Sequence, residues 1–108
     1  CNDIFSVFRE MKNNDVHNLV AVLHYQKEIS LEQAIHDAAK MHDKEVRYFM
    51  NLETSLPSFG EEVDDQVTKY ISGMYSWIRG NYDWYSLTAR YHTVEKLELV
   101  ESLELVKF

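Results

Sequence analysis

The sequence predicts an all-α fold, and two observations support this class. Apolar residues recur at helical spacing through most of the 108 residues. The three glycines and the single proline fall mainly between these periodic segments, where they are expected to end helices. With 45% hydrophobic residues, the chain can form the core of one small domain. We therefore expect helices joined by short turns, with no internal repeat or linker.

The first two helices are predicted from the N-terminal residues. Residues 2–12 have the apolar spacing of one helix. The segment KNND at 12–15 is typical of a turn, because Asn and Asp side chains hydrogen-bond to nearby backbone groups. Asp15 would then cap a second helix that begins at residue 16 and ends near residue 28.

A capping box of Ser30 and Gln33 predicts the start of a long third helix that stops before Pro57. Its apolar residues recur at a spacing that predicts one buried side. The members of this side are Leu31, Ala34, Ile35, Ala38, Ala39, Met41, Val46, Phe49, Met50 and Leu52.

Glycines bound the predicted fourth helix, which runs from about residue 61 to residue 79 between Gly60 and Gly80. Its acidic first turn suits a helix N-terminus. Residues 81–92 are expected to form a bent continuation or a turn, and residues 93–108 are a tail of repeated Leu-Glu units. Aromatic residues at helical spacing are expected in the core: Phe49, Tyr70, Tyr75 and Trp77.

Charge and composition exclude several classes of partner. Eleven basic residues against eighteen acidic ones give a net charge of −7, and the basic residues are scattered, which disfavours nucleic acid. The single cysteine cannot form an internal disulfide. Since no apolar run of about 18 residues and no signal-like start occurs, we expect a cytoplasmic protein without a membrane partner. A start in mid-pattern, without Met, predicts a piece of a longer protein.

Asn2, Ser6 and Glu10 form a polar stripe on the first helix, because their i, i+4, i+8 spacing places them on one side. Apolar residues fill much of the remaining circumference. Amide, hydroxyl and carboxylate oxygens are hard donors that suit Mg²⁺, and one negative charge implies that a phosphorylated partner completes the coordination. The alternative is an ordinary polar stripe, since such pairs are common on helices.

A second group of residues lies near the end of the helical part. Arg90 and Tyr91 place a guanidinium fork beside a phenol hydroxyl, and both can bind diphosphate oxygens. Trp84 lies six residues before Arg90. Taken alone, Trp84 would be assigned to the core.

These motifs together resemble a known family. The pattern N-D-x-x-S-x-x-x-E at 2–10, a basic residue (Arg9) before the Glu, and Arg-Tyr preceded by Trp are similar to the C-terminal part of a bacterial-type class I terpene synthase. NDVHNLV and WIRGNYDW are similar as well, so the resemblance covers roughly residues 2–92. It implies the C-terminal helices of the class I terpenoid synthase α-bundle over residues 1–92, incomplete on their own, followed by a tail.

The resemblance also implies a role for each motif residue. Asn2, Ser6 and Glu10 would bind one of three Mg²⁺ ions, Arg9, Arg90 and Tyr91 would bind diphosphate, and Trp84 would line the cavity and stabilise a carbocation. The intact enzyme would ionise an isoprenyl diphosphate, farnesyl diphosphate being the expected one, and cyclise the cation. A homodimer of that enzyme is left open.

Two departures from the family pattern bear on this expectation. Arg9 stands where the family more often has Lys, which keeps the charge but changes the donor geometry. The Asp-rich motif that holds the other two ions lies upstream in the family, and this sequence contains no such motif. The Asp pair in VDDQVTK at 63–69 is interpreted as water-facing charge at a helix N-terminus. We expect the chain to be inactive in isolation. The alternative function is a non-catalytic helical fragment or interaction module.

Overall fold

The computed structural model describes residues 1–91, in which four α-helices are followed by one short 3-10 turn. Helix α1 spans Asn2–Lys12, α2 spans Leu19–Lys27, α3 spans Leu31–Thr54, α4 spans Glu61–Leu87, and the turn spans Ala89–Tyr91. The predicted all-α class is confirmed. His92, the last residue of the predicted 1–92 unit, and the predicted tail over 93–108 lie outside the described residues.

The core forms where α1, α2 and α3 meet. Ile35 is fully buried there, and burial of such a side chain stabilises the fold by about 1.5–3 kcal/mol. Helix α3 contributes three alanines, whose short side chains leave room for larger residues from α1 and α2. The cluster consists of Ile4, Val7, Val20, Leu23, Ala34, Ile35, Ala38 and Ala39.

Helix α2 begins three residues later than predicted, because Asn18 caps it instead of Asp15. The Asn18 Oδ1 atom accepts hydrogen bonds from the backbone N–H groups of Val20 and Ala21, at 2.8 and 3.3 Å. Asp15 instead accepts one from the backbone N–H of His17, at 3.0 Å. The predicted start at residue 16 is therefore wrong, since the Asp15 side chain closes a local turn before the helix.

Helix α3 begins as predicted, with the Gln33 backbone N–H donating to Ser30 Oγ at 3.1 Å. The helix ends at Thr54, two residues earlier than the predicted stop. Its predicted buried side is correct for Ala34, Ile35, Ala38, Ala39 and Val46. It is wrong for Met41, Met50 and Leu52, which are at least 40% exposed.

Helix α4 continues through Gly80 to Leu87, so the predicted end at residue 79 is wrong. A glycine inside a helix costs about 1 kcal/mol relative to alanine, which does not end a helix that has contacts further along. Such contacts exist, because Tyr82 and Tyr85 beyond the glycine both lie against Phe5 of α1. Within residues 1–91, none of the helices is long and apolar enough to cross a membrane.

Much of α4 carries exposed aromatic side chains. Within residues 1–91, Tyr70 and Trp77 are 72% and 76% exposed. The prediction that they belong to the core is therefore wrong for this part of the chain. Tyr75 contacts α3, with its ring 5.0 Å from that of Phe49 and its hydroxyl 2.5 Å from Glu53 Oε2. Helix α4 otherwise packs against α1 near its C-terminal end. Exposed aromatic rings are expected where a helix lacks packing partners, so they agree with the prediction that this helical bundle is incomplete on its own.

Candidate metal and diphosphate site

Helix α1 carries the three predicted metal ligands in very different surroundings. Ser6 is 2% exposed, Glu10 is partly buried and Asn2 is exposed. The Ser6 hydroxyl donates to the carbonyl oxygen of Asn2 at 2.9 Å, a bond between residues one helical turn apart. The predicted apolar surroundings of the stripe are confirmed for Ser6 and are wrong for Asn2, which is exposed.

Asn18 joins this stripe to α2 and was not identified from the sequence as part of the site. Its Nδ2 atom donates to Glu10 Oε2 at 2.8 Å and to the Asp3 carbonyl at 2.9 Å. A third acceptor, Ser6 Oγ, lies 3.4 Å away. The side chain is buried, with 2% of its surface exposed. An Asn just before an apolar run is a recognised capping signal, and that signal was available in the sequence.

Asp3 provides a second link between α1 and α2. Its Oδ2 atom accepts a hydrogen bond from the backbone N–H of Leu19 at 2.7 Å. Leu19 is the first residue of α2, where backbone N–H groups have no partner within the helix. The start of α2 is therefore fixed to the first turn of α1 by the Asn18 side chain and by the Leu19 backbone.

Tyr85 brings the end of α4 to the start of α1. Its hydroxyl donates to Asn2 Oδ1, and its ring stacks on Phe5 with centroids 5.4 Å apart. Tyr85 is 8% exposed, and this burial is the main reason why its pKa lies above the ordinary value. The nearby Tyr91 hydroxyl raises the pKa further. Sequence reasoning did not single out Tyr85.

The predicted diphosphate residues come together beside the last turn of α1, where Arg9 lies. The guanidinium carbons of Arg9 and Arg90 lie 5.9 and 5.5 Å from the ring centroid of Tyr91. That ring is 5.0 Å from the ring of Tyr85. Arg9 and Arg90 are both exposed. Two positive charges therefore flank one phenol beside the stripe.

Trp84 lies on α4 next to this cluster, with its ring 4.9 Å from Tyr85 and 5.9 Å from Tyr91. It is 51% exposed, so it is not the core residue that its spacing alone would indicate. With Trp77 and Asn81 it lines an open, largely apolar groove along α4.

The donor atoms on α1 fit a hard divalent cation. An amide oxygen, a hydroxyl and one carboxylate are ligands that Mg²⁺ accepts, and it usually takes few protein ligands. The bond from Asn18 occupies one acceptor position on Glu10, and a carboxylate offers about four. Among residues 1–91, no three His, Cys, Asp or Glu side chains form a metal-binding group. A metal ion bound by the three proposed ligands would therefore be coordinated by neutral oxygen atoms as well as by the Glu10 carboxylate.

Comparisons with known proteins show which family this chain resembles. Residues 1–48 match the family model described as terpene synthase family 2, C-terminal metal binding. The chain is 57% identical over 100 residues to a germacrene A synthase from Nostoc punctiforme. It is 44% identical over 91 residues to a 10-epi-cubebol synthase from Sorangium cellulosum.

A third relative is a (+)-T-muurolol synthase from Roseiflexus castenholzii, whose name adds that it cyclises (2E,6E)-farnesyl diphosphate. It is 38% identical over 96 residues. These matches cover 93%, 84% and 89% of this chain. They cover 31%, 29% and 29% of the respective relatives. The chain thus spans about a third of the length of the proteins that it matches.

Proposed function

We propose that this chain, which belongs to the C-terminal metal-binding part of the terpene synthase family, supplies metal-binding and diphosphate-binding helices to a larger enzyme. Residues 1–92 would form this part, and 93–108 would follow as a tail. The whole enzyme would ionise an isoprenyl diphosphate and cyclise the resulting carbocation. Farnesyl diphosphate is the proposed substrate, and the name of the Roseiflexus relative supports it.

One observation carries the proposal: residues 85–91, at the other end of the described chain, contact α1 in both its first and its last turn. Asn2 accepts a hydrogen bond from Tyr85, 83 residues away, and Arg9 lies over the ring of Tyr91. A polar stripe on an ordinary surface helix would not be expected to lie beside an Arg-Tyr pair from the other end of the described chain. A site for a metal-bound diphosphate needs both groups side by side.

The proposed task of the cationic residues is to stabilise the leaving group. When the carbon–oxygen bond of the substrate breaks, its electron pair stays on the diphosphate, which gains negative charge. Arg9 and Arg90 would hold this charge through charge-assisted hydrogen bonds, and Tyr91 would donate a further one. The proximity of both guanidinium groups to the Tyr91 ring supports a shared task.

Asn2, Ser6 and Glu10 would hold Mg²⁺, as the resemblance implies and as their hard oxygen donors permit. When bound, the ion supplies Lewis-acid stabilisation of the diphosphate. The buried Ser6 lies between the other two donors along the helix, and Asn18 holds one oxygen of Glu10.

The proposed task of Trp84 is to face the carbocation. An aromatic ring can stabilise a nearby cation by about 0.5–1 kcal/mol at an exposed site and by about 2 kcal/mol when water is excluded. The exposed side of Trp84 opens onto the apolar groove of α4, which the rest of the enzyme would close over the substrate.

The direct test is to obtain the full-length protein that contains this chain and to incubate it with farnesyl diphosphate and Mg²⁺. Release of diphosphate together with a cyclic hydrocarbon or alcohol is the expected result. The 108-residue chain alone is expected to give neither. A reading frame without an upstream Asp-rich helix, or a full-length protein without turnover, would contradict the proposal.

A hybrid protein provides an independent test. This chain replaces the matching segment of the Nostoc germacrene A synthase, to which it is 57% identical. Retained turnover of the hybrid, and its loss in a Glu10→Ala hybrid, would support a catalytic segment. A folded hybrid without turnover would favour the alternative, a non-catalytic helical fragment or interaction module.

A further inference from the structure

We propose that Asn18 is a positioning residue for the metal site, because it fixes the carboxylate of Glu10 before the ion binds. The inference rests on the proposed function, since it assumes that Glu10 is a metal ligand. Asn18 belongs to α2, whereas the three proposed ligands lie on α1. The site would therefore depend on a residue from a second helix that binds neither metal nor substrate.

Both the nitrogen and the oxygen of the Asn18 side-chain amide have hydrogen-bond partners. The Nδ2 atom has two protons, and its two short bonds go to Glu10 Oε2 at 2.8 Å and to the Asp3 carbonyl at 2.9 Å. The Oδ1 atom accepts from the backbone N–H groups of Val20 and Ala21. A flipped amide would turn its NH₂ group towards these two donors, so the capping bonds determine which end faces Glu10.

Burial makes this arrangement rigid. Asn18 is 2% exposed, so water cannot readily replace its partners. The bond from the Leu19 N–H to Asp3 Oδ2 at 2.7 Å holds the adjacent backbone against α1. Glu10 itself is only partly buried and has three rotatable side-chain bonds. Without Asn18, its carboxylate would sample several rotamers, and metal binding would have to select one of them.

The orientation of Ser6 is also influenced by Asn18. Its hydroxyl already donates to the Asn2 carbonyl, which leaves the oxygen lone pairs as acceptors for a metal. The Asn18 Nδ2 atom lies 3.4 Å from this oxygen, a weak contact on the side facing α2. The α2 side of Ser6 and Glu10 is thereby occupied, and the ion would be bound by their remaining acceptor positions.

Asn18→Asp separates helix capping from the positioning of Glu10. Aspartate is as good an N-cap as asparagine, so the bonds to Val20 and Ala21 can be kept. Its carboxylate cannot donate to Glu10 Oε2 and repels it, so this variant also adds a negative charge, which the next variant does not. Asn18→Ser is a second variant that also caps, but its side chain is too short to reach Glu10. The matched control is Ser30→Ala, which removes the cap of α3.

The measurement is calorimetric titration of the full-length protein with Mg²⁺ in the presence of inorganic diphosphate, beside thermal melting of each variant. Loss of a group that orients a metal ligand typically weakens metal affinity about 10–100-fold, and we expect this for both Asn18 variants. Ser30→Ala should lower the melting temperature without changing the affinity. In the enzyme assay, the Mg²⁺ concentration that gives half-maximal activity should rise for the Asn18 variants. Saturating Mg²⁺ should restore most of their turnover.

The outcomes separate this inference from the proposed function. If the wild-type protein binds no Mg²⁺ with diphosphate, the proposed function fails. If the wild type binds it and folded Asn18 variants bind it within twofold of that affinity, only the role of Asn18 fails. Failure of both variants to fold would also overturn the inference, because Asn18 would then be required for the fold and not for the metal site.

Discussion

The Tyr85 hydroxyl donates a hydrogen bond to Asn2 Oδ1, which joins the last turns of α4 to the first turn of α1. Asn2 Oδ1 is also the atom proposed to bind the metal. An amide oxygen has two lone pairs, so one can accept from Tyr85 while the other faces an ion. Tyr85 therefore holds the orientation of a proposed ligand and attaches α4 to the site at the same point.

Tyr85→Phe in the full-length protein is predicted to lower the free energy of unfolding by about 0.5–1.5 kcal/mol, the usual net value of one hydrogen bond. The ring stacked on Phe5 is kept, and Asn2 is exposed, so water can hydrate the released oxygen. Chemical denaturation measures the change. Tyr70→Phe is the control, because Tyr70 is 72% exposed and should alter stability little. Equal effects of the two substitutions would contradict a stabilising role for the Tyr85 bond.

Alkaline pH should weaken the same contact. Burial raises the pKa of Tyr85 above its ordinary value of about 10, so the folded state favours the neutral phenol. The corresponding stability is present below the unfolded-state pKa and is lost as pH rises through the folded-state pKa. Melting temperatures between about pH 8.5 and pH 11.5 should therefore fall more for the wild type than for Tyr85→Phe. Parallel curves would mean that Tyr85 does not titrate differently on unfolding.

Local patterns predicted much of this fold. The start of α3 follows from Ser30 and its capping bond, and α1 follows from apolar spacing, because both signals lie within a few residues. The path of α4 could not be predicted in the same way. Gly80 indicates a helix end locally, but Tyr82 and Tyr85 pack against Phe5, which is distant in the sequence. Such tertiary contacts override local propensity.

The site was predictable to a different extent. Family resemblance named the proposed ligands and diphosphate residues, which lie along α1 and in the turn that contacts it. Asn18 was not identified, because its significance lies in bonds to Glu10 and Asp3, which belong to another helix. Capping residues are recognised by the helix that they begin. No sequence pattern states what the other end of the amide will contact.

Metal binding is predicted to depend on diphosphate. One carboxylate and two neutral donors make a weak site for Mg²⁺, which completes its shell with water and phosphate oxygens. Titration of the full-length protein should show much tighter Mg²⁺ binding with inorganic diphosphate than without it. Tight binding of the ion to the 108-residue chain alone would count against a site shared with the substrate.

Arg90→Lys and Tyr91→Phe are each predicted to reduce turnover while product proportions change little. Both substitutions would remove the proposed hydrogen bonds to diphosphate and leave the apolar groove of α4 largely intact. Steady-state kinetics and gas chromatography of the products measure the two effects. Arg47→Lys on the exposed surface of α3 is the matched control. Full activity in both variants would remove this pair from the diphosphate site.

Trp84→Leu is predicted to change which products form more than it changes substrate binding. Leucine keeps the groove apolar but has no aromatic face, so a passing carbocation loses about 0.5–2 kcal/mol of stabilisation. A change of about 1.4 kcal/mol alters the ratio of competing routes tenfold. Arg9 and Arg90 contact the Tyr91 ring, and Trp84 touches only that ring among the three, so diphosphate binding should change less than the product proportions.

Gas chromatography of the products and Michaelis constants of the full-length protein test the two parts of this prediction. The control is Tyr48→Leu, which removes an exposed aromatic ring from α3 and should leave both quantities unchanged. Trp84 touches Tyr85 and Tyr91, so a loss of stability is expected as well, and it must be separated from catalysis by melting curves. A destabilised variant with an unchanged product profile would assign Trp84 to packing. Removal of a ring that faces the carbocation should shift the ratio of the competing reaction routes, and therefore of the products.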